Sequence, residues 1–537
     1  MRFDHPGVGA SSSARPDASA DELVRSLTRE PWGQVSPSVY ETARLVALSP
    51  WLMGHARRVK YLLGTQRPDG GWGGPGGYAL VPTLSATDAL LADLRRPPNG
   101  TDHPVLARAA DRALRMLSRL LPGLDEANLP DMPAVDIIAA SLTDSIDDRL
   151  RALRLSPPPG VRHWPHRAVA PLPAAFDRKR LKSVLCALET RTPLPEKLFH
   201  ALEVAGHAAS HAVGVPLTST GTVGASPAAT AAWLGESGHH DPDSPARRFL
   251  EAVARGNDDL VPCGVPITMF ERSWVIGILL RAGLSPSIPP ELTANLVSGI
   301  GAEGIAAASG LPADADTTAV SLYSLALLGV KRTPDVLLRY ETETHFCTWP
   351  GEDGHSTSVN AHVLDAFGQY LKDTGRQAST HRDGSVQRFS GIVRKLSSWL
   401  CEQQHSDGGW RDRWHASPYY ATACCALALS DFGVGDARTA VTRAIGWVLA
   451  TQRPDGSWGL WEGTAEETAY ALQILLLVRP RYDPAIERAV ADGYDHLLRA
   501  APNTERPALW HDKDLYLPKA VVEAGILAAL HLGRRTA

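Results

Sequence analysis

The residues best suited to chemistry lie in one short run, Pro312-Ala-Asp314-Ala-Asp316-Thr317-Thr318-Ala319, directly ahead of an apolar stretch with helical period. Two carboxylates held close together cannot both ionise cheaply. One therefore keeps its proton well above the ordinary carboxylate range, more so in an apolar cavity, and such a pair can serve as a general acid. The same residues also suit plain structural work, because Asp and Thr cap helices and acids favour a helix start. Downstream, His355-Ser356-Thr357-Ser358-Val359-Asn360-Ala361-His362 offers polar support. Ser356 and Asn360 share a face on a helix, where the pair could hydrogen-bond one carboxyl group and fix which oxygen carries the proton.

Other chemistries lack their residues. GxxxxGK[ST], HExxH, GxSxG in its strand-to-helix setting and a GxGxxG opening a βαβ unit are all missing. The glycine-rich run from Gly70 to Gly77 belongs to a repeated turn instead. A net charge of −4 argues against a protein that binds nucleic acid by neutralising phosphates. The six cysteines (Cys186, Cys263, Cys347, Cys401, Cys424, Cys425) show no zinc-type spacing, so a reducing, cytoplasmic compartment is expected. The apolar run Ala520 to Leu532 contains Glu523 and is too short for a membrane span. Met1 to Ala20 is rich in Ser, Asp and Ala without an apolar segment, and reads as a disordered lead rather than a signal peptide.

The elements that must position the acids are helices. Ala/Leu segments with helical period recur at Thr318–Leu328, Ala421–Ser430 and Glu467–Leu477, punctuated by Gly and Pro. Gln66-Arg-Pro-Asp69-Gly70-Gly71-Trp72 returns as Gln404-His-Ser-Asp407-Gly408-Gly409-Trp410 and as Gln452-Arg-Pro-Asp455-Gly456-Ser457-Trp458. In each, Asp-Gly makes a tight turn, Trp packs back over it, and the Gln amide satisfies helix-end groups. These repeats read as braces between helix pairs, and they predict an all-α fold of two related α-helical barrels.

The Gln/Trp repeats together with Asp314-Ala-Asp316-Thr317 resemble the class II terpene cyclases, which start cyclisation by protonating an alkene. Ala225-Ser226-Pro227-Ala228-Ala229-Thr230-Ala231, Phe270-Glu271-Arg272-Ser273-Trp274, Ser358-Val359-Asn360-Ala361-His362-Val363-Leu364, Trp414 to Thr422, Glu466-Glu467-Thr468-Ala469-Tyr470 and Trp510 to Tyr516 are similar to that family's segments in the same order. The resemblance covers most of the chain from about residue 36 onward and points to the branch acting on prenyl diphosphates.

That resemblance implies a β domain (21–36 with 286–537, after a lead over 1–20), a γ domain inserted over 37–285, and a cavity between them. It implies Asp316 as the acid, Asp314 as the residue that orders it and raises its proton affinity, and Asn360 and Ser356 as polar support. The family's DxDD motif ends here in Thr317, which can hydrogen-bond but adds no charge. Tyr419, Tyr420, Trp461 and Tyr470 are candidate cavity liners, although buried aromatics also serve simply as core. Arg413 and Lys513 are candidate diphosphate ligands, with Mg²⁺ bridging the phosphate oxygens through ligands that the sequence does not name. Because DDxxD is missing, and Asp147-Asp148 and Asp258-Asp259 lack a third acid, the product is expected to keep its diphosphate and pass to a phosphatase or another terpene-processing enzyme.

The expected activity is an isomerase of the intramolecular-lyase type. The DxDTT pattern, similar to that of drimane-forming cyclases, favours farnesyl diphosphate turned into drimenyl diphosphate. A copalyl-type cyclase acting on geranylgeranyl diphosphate is the second reading. A non-enzymatic helical-repeat binding protein would explain the braces but not the acids.

Overall fold

The computed structural model describes residues 16–97, 102–124, 129–157, 172–173, 176, 178–375, 384–478, 483–503 and 505–535. After α1 (Pro16–Arg29), one lobe holds α2 (Val39–Leu48), α3 (His55–Thr65), α4 (Leu80–Asp93), α5 (His103–Leu120), α6 (Val135–Leu155), α7 (Arg178–Glu189), a kinked 3₁₀ segment (Glu196–Ala209), α8 (Pro227–Leu234) and α9 (Pro245–Gly256). The other lobe holds α10 (Thr268–Arg281), α11 (Pro290–Gly299), α12 (Ala315–Leu327), α13 (Thr357–Gly375), α14 (Gly384–Glu402), α15 (Pro418–Phe432), α16 (Ala437–Ala450), α17 (Ala465–Leu477), α18 (Pro484–Ala500) and α19 (Lys519–Arg534). Among the described residues the protein is all-α, apart from a short antiparallel pair, Trp510–His511 with Leu515–Tyr516.

Burial sorts these helices into two layers. α12, α15 and α17 are buried nearly all round, as suits an inner layer, whereas α9, α14 and α18 bury one stripe and turn charged residues outward. The inner helices close a ring in which α10 packs on α12, then α13, α15, α17, α19 and back to α10. In the other lobe α2, α4, α6, the 3₁₀ segment and α8 close a similar ring. Each ring is an α/α barrel.

Cores show where the lobes divide. The larger barrel's core takes Ala20, Val24 and Leu27 from α1 and Val35 from the segment after it, and then runs from Ile267 onward. The smaller lobe's cores lie between Tyr40 and Val265. Helix α10, expected within 37–285 of the γ domain, therefore packs in the larger barrel, because Phe270, Trp274 and Leu279 join that core. The lead expected over 1–20 also gives way to helix from Pro16, with Ala20 buried; residues 1–15 lie outside the described residues.

The Gln/Trp turns repeat one construction. Each Gln amide donates to the Gly carbonyl of its own turn and to a carbonyl of the next outer helix: Ala109 at 2.9 Å, Ala440 at 2.8 Å and Ala489 at 2.9 Å. Each Trp indole donates back to the preceding helix, to Leu62, Leu400 or Val448. Gly70, Gly408 and Gly456 have φ of +96°, +102° and +86°, and a Cβ there would press on the carbonyls of Arg112, Arg443 and Asp492. Glycine is therefore required at these turns.

Candidate active site

The first turns of the inner helices carry the site. Asp314 is the N-cap of α12: its carboxylate accepts the Thr317 amide at 2.6 Å and the Thr317 hydroxyl at 2.9 Å. Thr318 donates to the Asp314 carbonyl at 2.5 Å and accepts the Ile305 amide at 3.0 Å, fastening the preceding loop to the helix. Both threonines of the DxDTT run thus serve the cap. Asp314 is 5% exposed, and burial pushes its carboxyl up to about 7; the charge of Asp316 adds to the rise and the Thr317 donors oppose it.

Asp316 sits two residues past the cap, outside this hydrogen-bonded knot, with 15% of its side chain exposed. Its Oδ1 lies 2.6 Å from Nδ1 of His362 on α13. Burial alone would depress the His362 pKa, but the Asp316 carboxylate and the neighbouring Cys424 hold it well above the usual value. Once Asp316 gives up its proton, its carboxylate thus faces a ring whose cationic form it favours and which is placed to stabilise it.

Around this pair stands a set of aromatic rings. Trp274 of α10 is edge-on to His362 with centroids 5.4 Å apart, and its indole N–H donates to the Tyr420 hydroxyl at 3.1 Å. Phe270 packs on Trp274 at 4.5 Å and on Trp510 at 5.5 Å. Tyr420 lies 4.6 Å from Trp510 and 5.5 Å from Tyr470, and stacks on His415 at 4.9 Å. The short β pair sets Trp510 opposite Tyr516, which lies within reach of the Asp316 charge, as Tyr420 does. An acid beside a cluster of aromatic rings suits cation chemistry, because ring faces stabilise cations and apolar walls exclude water.

Residues 353–473 match the family model "Squalene-hopene cyclase C-terminal domain". Across 99% of this chain and 98% of the relative, the sequence is 40% identical to the ent-copalyl diphosphate synthase of Streptomyces sp. (strain KO-3988). It is also 40% identical to the labda-7,13-dienyl diphosphate synthase of Streptomyces clavuligerus, across 96% of this chain and 93% of that one. The solved structure of ent-copalyl diphosphate synthase from Streptomyces platensis superposes with a TM-score of 0.90 at 43% identity, covering 97% of this chain and 99% of that one. The chain belongs to the class II terpene cyclases.

Several expected roles in this cyclase fall elsewhere. Ser356 and Asn360 do share a face, but neither bonds Asp314 or Asp316. Ser356 donates to Asp412 at 2.7 Å, while Asn360 bridges both backbone groups of Phe346 and the Ser356 carbonyl. His362, two residues on and about 200° round the helix, takes the place expected for them. Its signal was present in the Asn360-Ala361-His362 segment, but nothing local told which face met the acid.

Lys513 is not a diphosphate ligand. It is fully buried, paired with Glu41 and with Glu203 at 2.9 Å, and donates to the His200 carbonyl and Ser226 hydroxyl, each at 2.8 Å. It pins the short β pair of the larger barrel to the smaller lobe. Arg413 is similarly committed: it bonds the Asp353 carbonyl at 2.7 Å and pairs with Asp131 at 2.9 Å, and its guanidinium lies over Trp414.

Of the expected liners, Tyr420 and Tyr470 pack together in the ring cluster. Tyr419 turns outward onto Trp447 of α16, 4.6 Å away, because adjacent helical residues point about 100° apart. Trp461 stands edge-on to Tyr78 at the seam between the lobes, 5.5 Å away. His362, Trp274, Phe270, Trp510, His415 and Glu466 are site residues that sequence reasoning did not single out, although each lies in a segment resembling the family's.

No helix among the described residues is long and apolar enough to cross a membrane.

Proposed function

We propose that the protein is a diterpene cyclase of the copalyl type, in which Asp316 protonates the terminal alkene of geranylgeranyl diphosphate. Internal alkenes then attack in turn to close two rings, a proton is lost, and the diphosphate is retained. The observation that carries this reading is Asp316 itself, placed outside the cap knot, bonded to the His362 ring and next to the aromatic cluster.

The farnesyl-to-drimenyl expectation rested on Thr317 and Thr318. Both are engaged in the α12 cap, where they bear on the acid and not on the far end of the substrate. The full-length likeness to proteins named copalyl and labdadienyl diphosphate synthases favours the longer chain instead. These two curated relatives share one level of identity yet are named for different products, so the position of the new double bond stays with the side chains of the aromatic cluster.

Mg²⁺ enters this reading as a companion of the diphosphate. Among the described residues no group of three or more His, Cys, Asp or Glu is placed to hold a metal. Magnesium is commonly held by one or two carboxylates together with substrate phosphates. A chelator should therefore raise KM for the diphosphate while leaving the melting temperature of the free protein unchanged; a drop in that melting temperature would contradict the assignment.

Incubation with farnesyl and geranylgeranyl diphosphate, followed by dephosphorylation and mass analysis, tests the substrate. A cavity fitted to one chain misplaces the other by an isoprene unit, so kcat/KM should favour geranylgeranyl diphosphate by about 10²-fold or more. A preference for farnesyl diphosphate would restore the drimenyl reading. Asp316→Asn should abolish cyclisation in a folded protein, and near-parent activity would remove Asp316 from the role of acid.

A further inference from the structure

Glu466 holds the same place on α17 that Asp316 holds on α12. Each is the second residue after its N-cap, Thr464 for α17 and Asp314 for α12. The neighbouring acid, Glu467, closes the α17 cap: Thr464 accepts its amide at 3.0 Å, and its carboxylate takes the Thr464 hydroxyl at 2.8 Å and the Leu460 amide at 2.7 Å. Glu466 takes no part in that knot. It lies among the clustered rings, bonded to Tyr470 one turn on along the same helix face.

Three donors converge on one of its oxygens. Oε1 receives the Trp510 indole N–H at 2.8 Å, the Tyr470 hydroxyl at 3.0 Å and Nε2 of His415 at 3.1 Å. The direction of the last bond is fixed by the other ring nitrogen: Nδ1 of His415 accepts the Ser417 amide at 3.0 Å, so the ring hydrogen sits on Nε2. Oε1 is thereby saturated. The second oxygen, Oε2, is buried without a hydrogen-bond partner on a residue only 2% exposed. Leaving a buried acceptor unpaired is costly, so a carboxylate held this way invites a function.

The surroundings say which. The rings that grip Oε1 or stack beside it (Tyr470, Trp510, His415) contact Tyr420, whose hydroxyl accepts the indole N–H of Trp274, the ring that stands edge-on to His362 beside Asp316. Asp316 and Glu466 thus stand at two ends of one aromatic wall. The neighbouring acids are committed: the buried Asp365 to Arg281, and the half-buried Asp412 to the start of α13.

We propose that Oε2 of Glu466 is the base that ends the cyclisation, a role that rests on the cyclase reading above. The C–H bond next to the final cationic carbon breaks, its electron pair becomes the new C=C bond, and the proton passes to Oε2. The neutral Glu466 returns that proton to solvent after product leaves, and Asp316 regains one. The sum is an isomerisation with no net change in protons.

The test reads products rather than rate alone. Glu466→Gln keeps an acceptor for the three donors and replaces only the unpaired oxygen, so the variant should fold as judged by circular dichroism. General-base assistance is worth about 10²-fold or more, so formation of the parental alkene should fall by that factor, while substrate consumption falls less. Double-bond isomers or water-captured alcohols should then become the main products. Glu466→Asp, which withdraws the carboxylate by one methylene, should scatter products the same way and serves if the Gln variant does not fold. Glu467→Gln, which alters the adjacent cap, should melt lower but give the parental product.

An unchanged product from a folded Glu466→Gln would overturn the assignment. So would a folded variant that consumes no substrate, since the carboxylate would then act before the cation exists, and so would equal scatter from Glu467→Gln. The parent protein assayed in parallel separates this from the broader reading: if it consumes no prenyl diphosphate, the cyclase function fails rather than the role of Glu466.

Discussion

Replacing His362 with Phe isolates the contribution of the imidazolium to acid strength. The ring packs edge-on to Trp274 at 5.4 Å, a contact that Phe can keep, while the 2.6 Å bond from Nδ1 to Asp316 disappears. In the parent, the alkene takes the Asp316 proton and leaves a carboxylate that favours the cationic form of His362 and is stabilised by it. A hydrogen bond to a charged group is worth about 1.5–3 kcal/mol. If it is realised mainly as the proton leaves, its loss lowers kcat by about 10- to 150-fold. KM should change little, because His362 meets the acid rather than the diphosphate. His362→Gln, which keeps a neutral donor, should fall between parent and Phe. Steady-state turnover of geranylgeranyl diphosphate, quenched and analysed after dephosphorylation, gives kcat and KM separately, and circular dichroism confirms folding. A folded Phe variant with kcat within about twofold of the parent, or one whose loss lies wholly in KM, would refute the reasoning.

The remaining predictions concern the cap and the braces. Asp314 holds its proton up to about pH 7, above the unfolded carboxylate value, so its stabilising contribution is complete below the unfolded pKa and is lost as pH rises through about 7. Because the neighbouring carboxyl groups must carry a proton between them for catalysis, kcat/KM should be level below that pH and decline above it. Thr317→Val removes a hydroxyl donor that lowers the Asp314 pKa, so the alkaline limb should move to higher pH; a shift the other way would contradict the assignment. Trp410→Ala deletes a fully buried indole that bonds Leu400, and should cost about 3–5 kcal/mol in denaturant unfolding. Activity lost with unchanged stability would instead place Trp410 in the site.

The amino-acid sequence alone determined what depends on neighbours within a turn or two. The Asp-Gly turns, their Trp and Gln braces, the acidic N-cap of α12 and the helical period of the inner segments all arise from interactions of that range. Those features carry the all-α barrel and the paired acids. Which way each helix face points inside the barrel is another matter, because it is set by packing between elements far apart in the chain. Asn360 and His362 lie in one segment, yet only the docking of α12 against α13 brings His362 and not Asn360 to Asp316. The same holds for Tyr419 and Tyr420, and for Glu466 and Glu467, neighbours that the barrel turns to opposite uses. A charge such as Lys513 looks like a substrate ligand in sequence because it lies in a segment resembling the family's, and its neighbours Asp512 and Asp514 do not tell where its ammonium goes. Its partners, Glu41 and Glu203, come from the other lobe and meet it only when the two barrels close together.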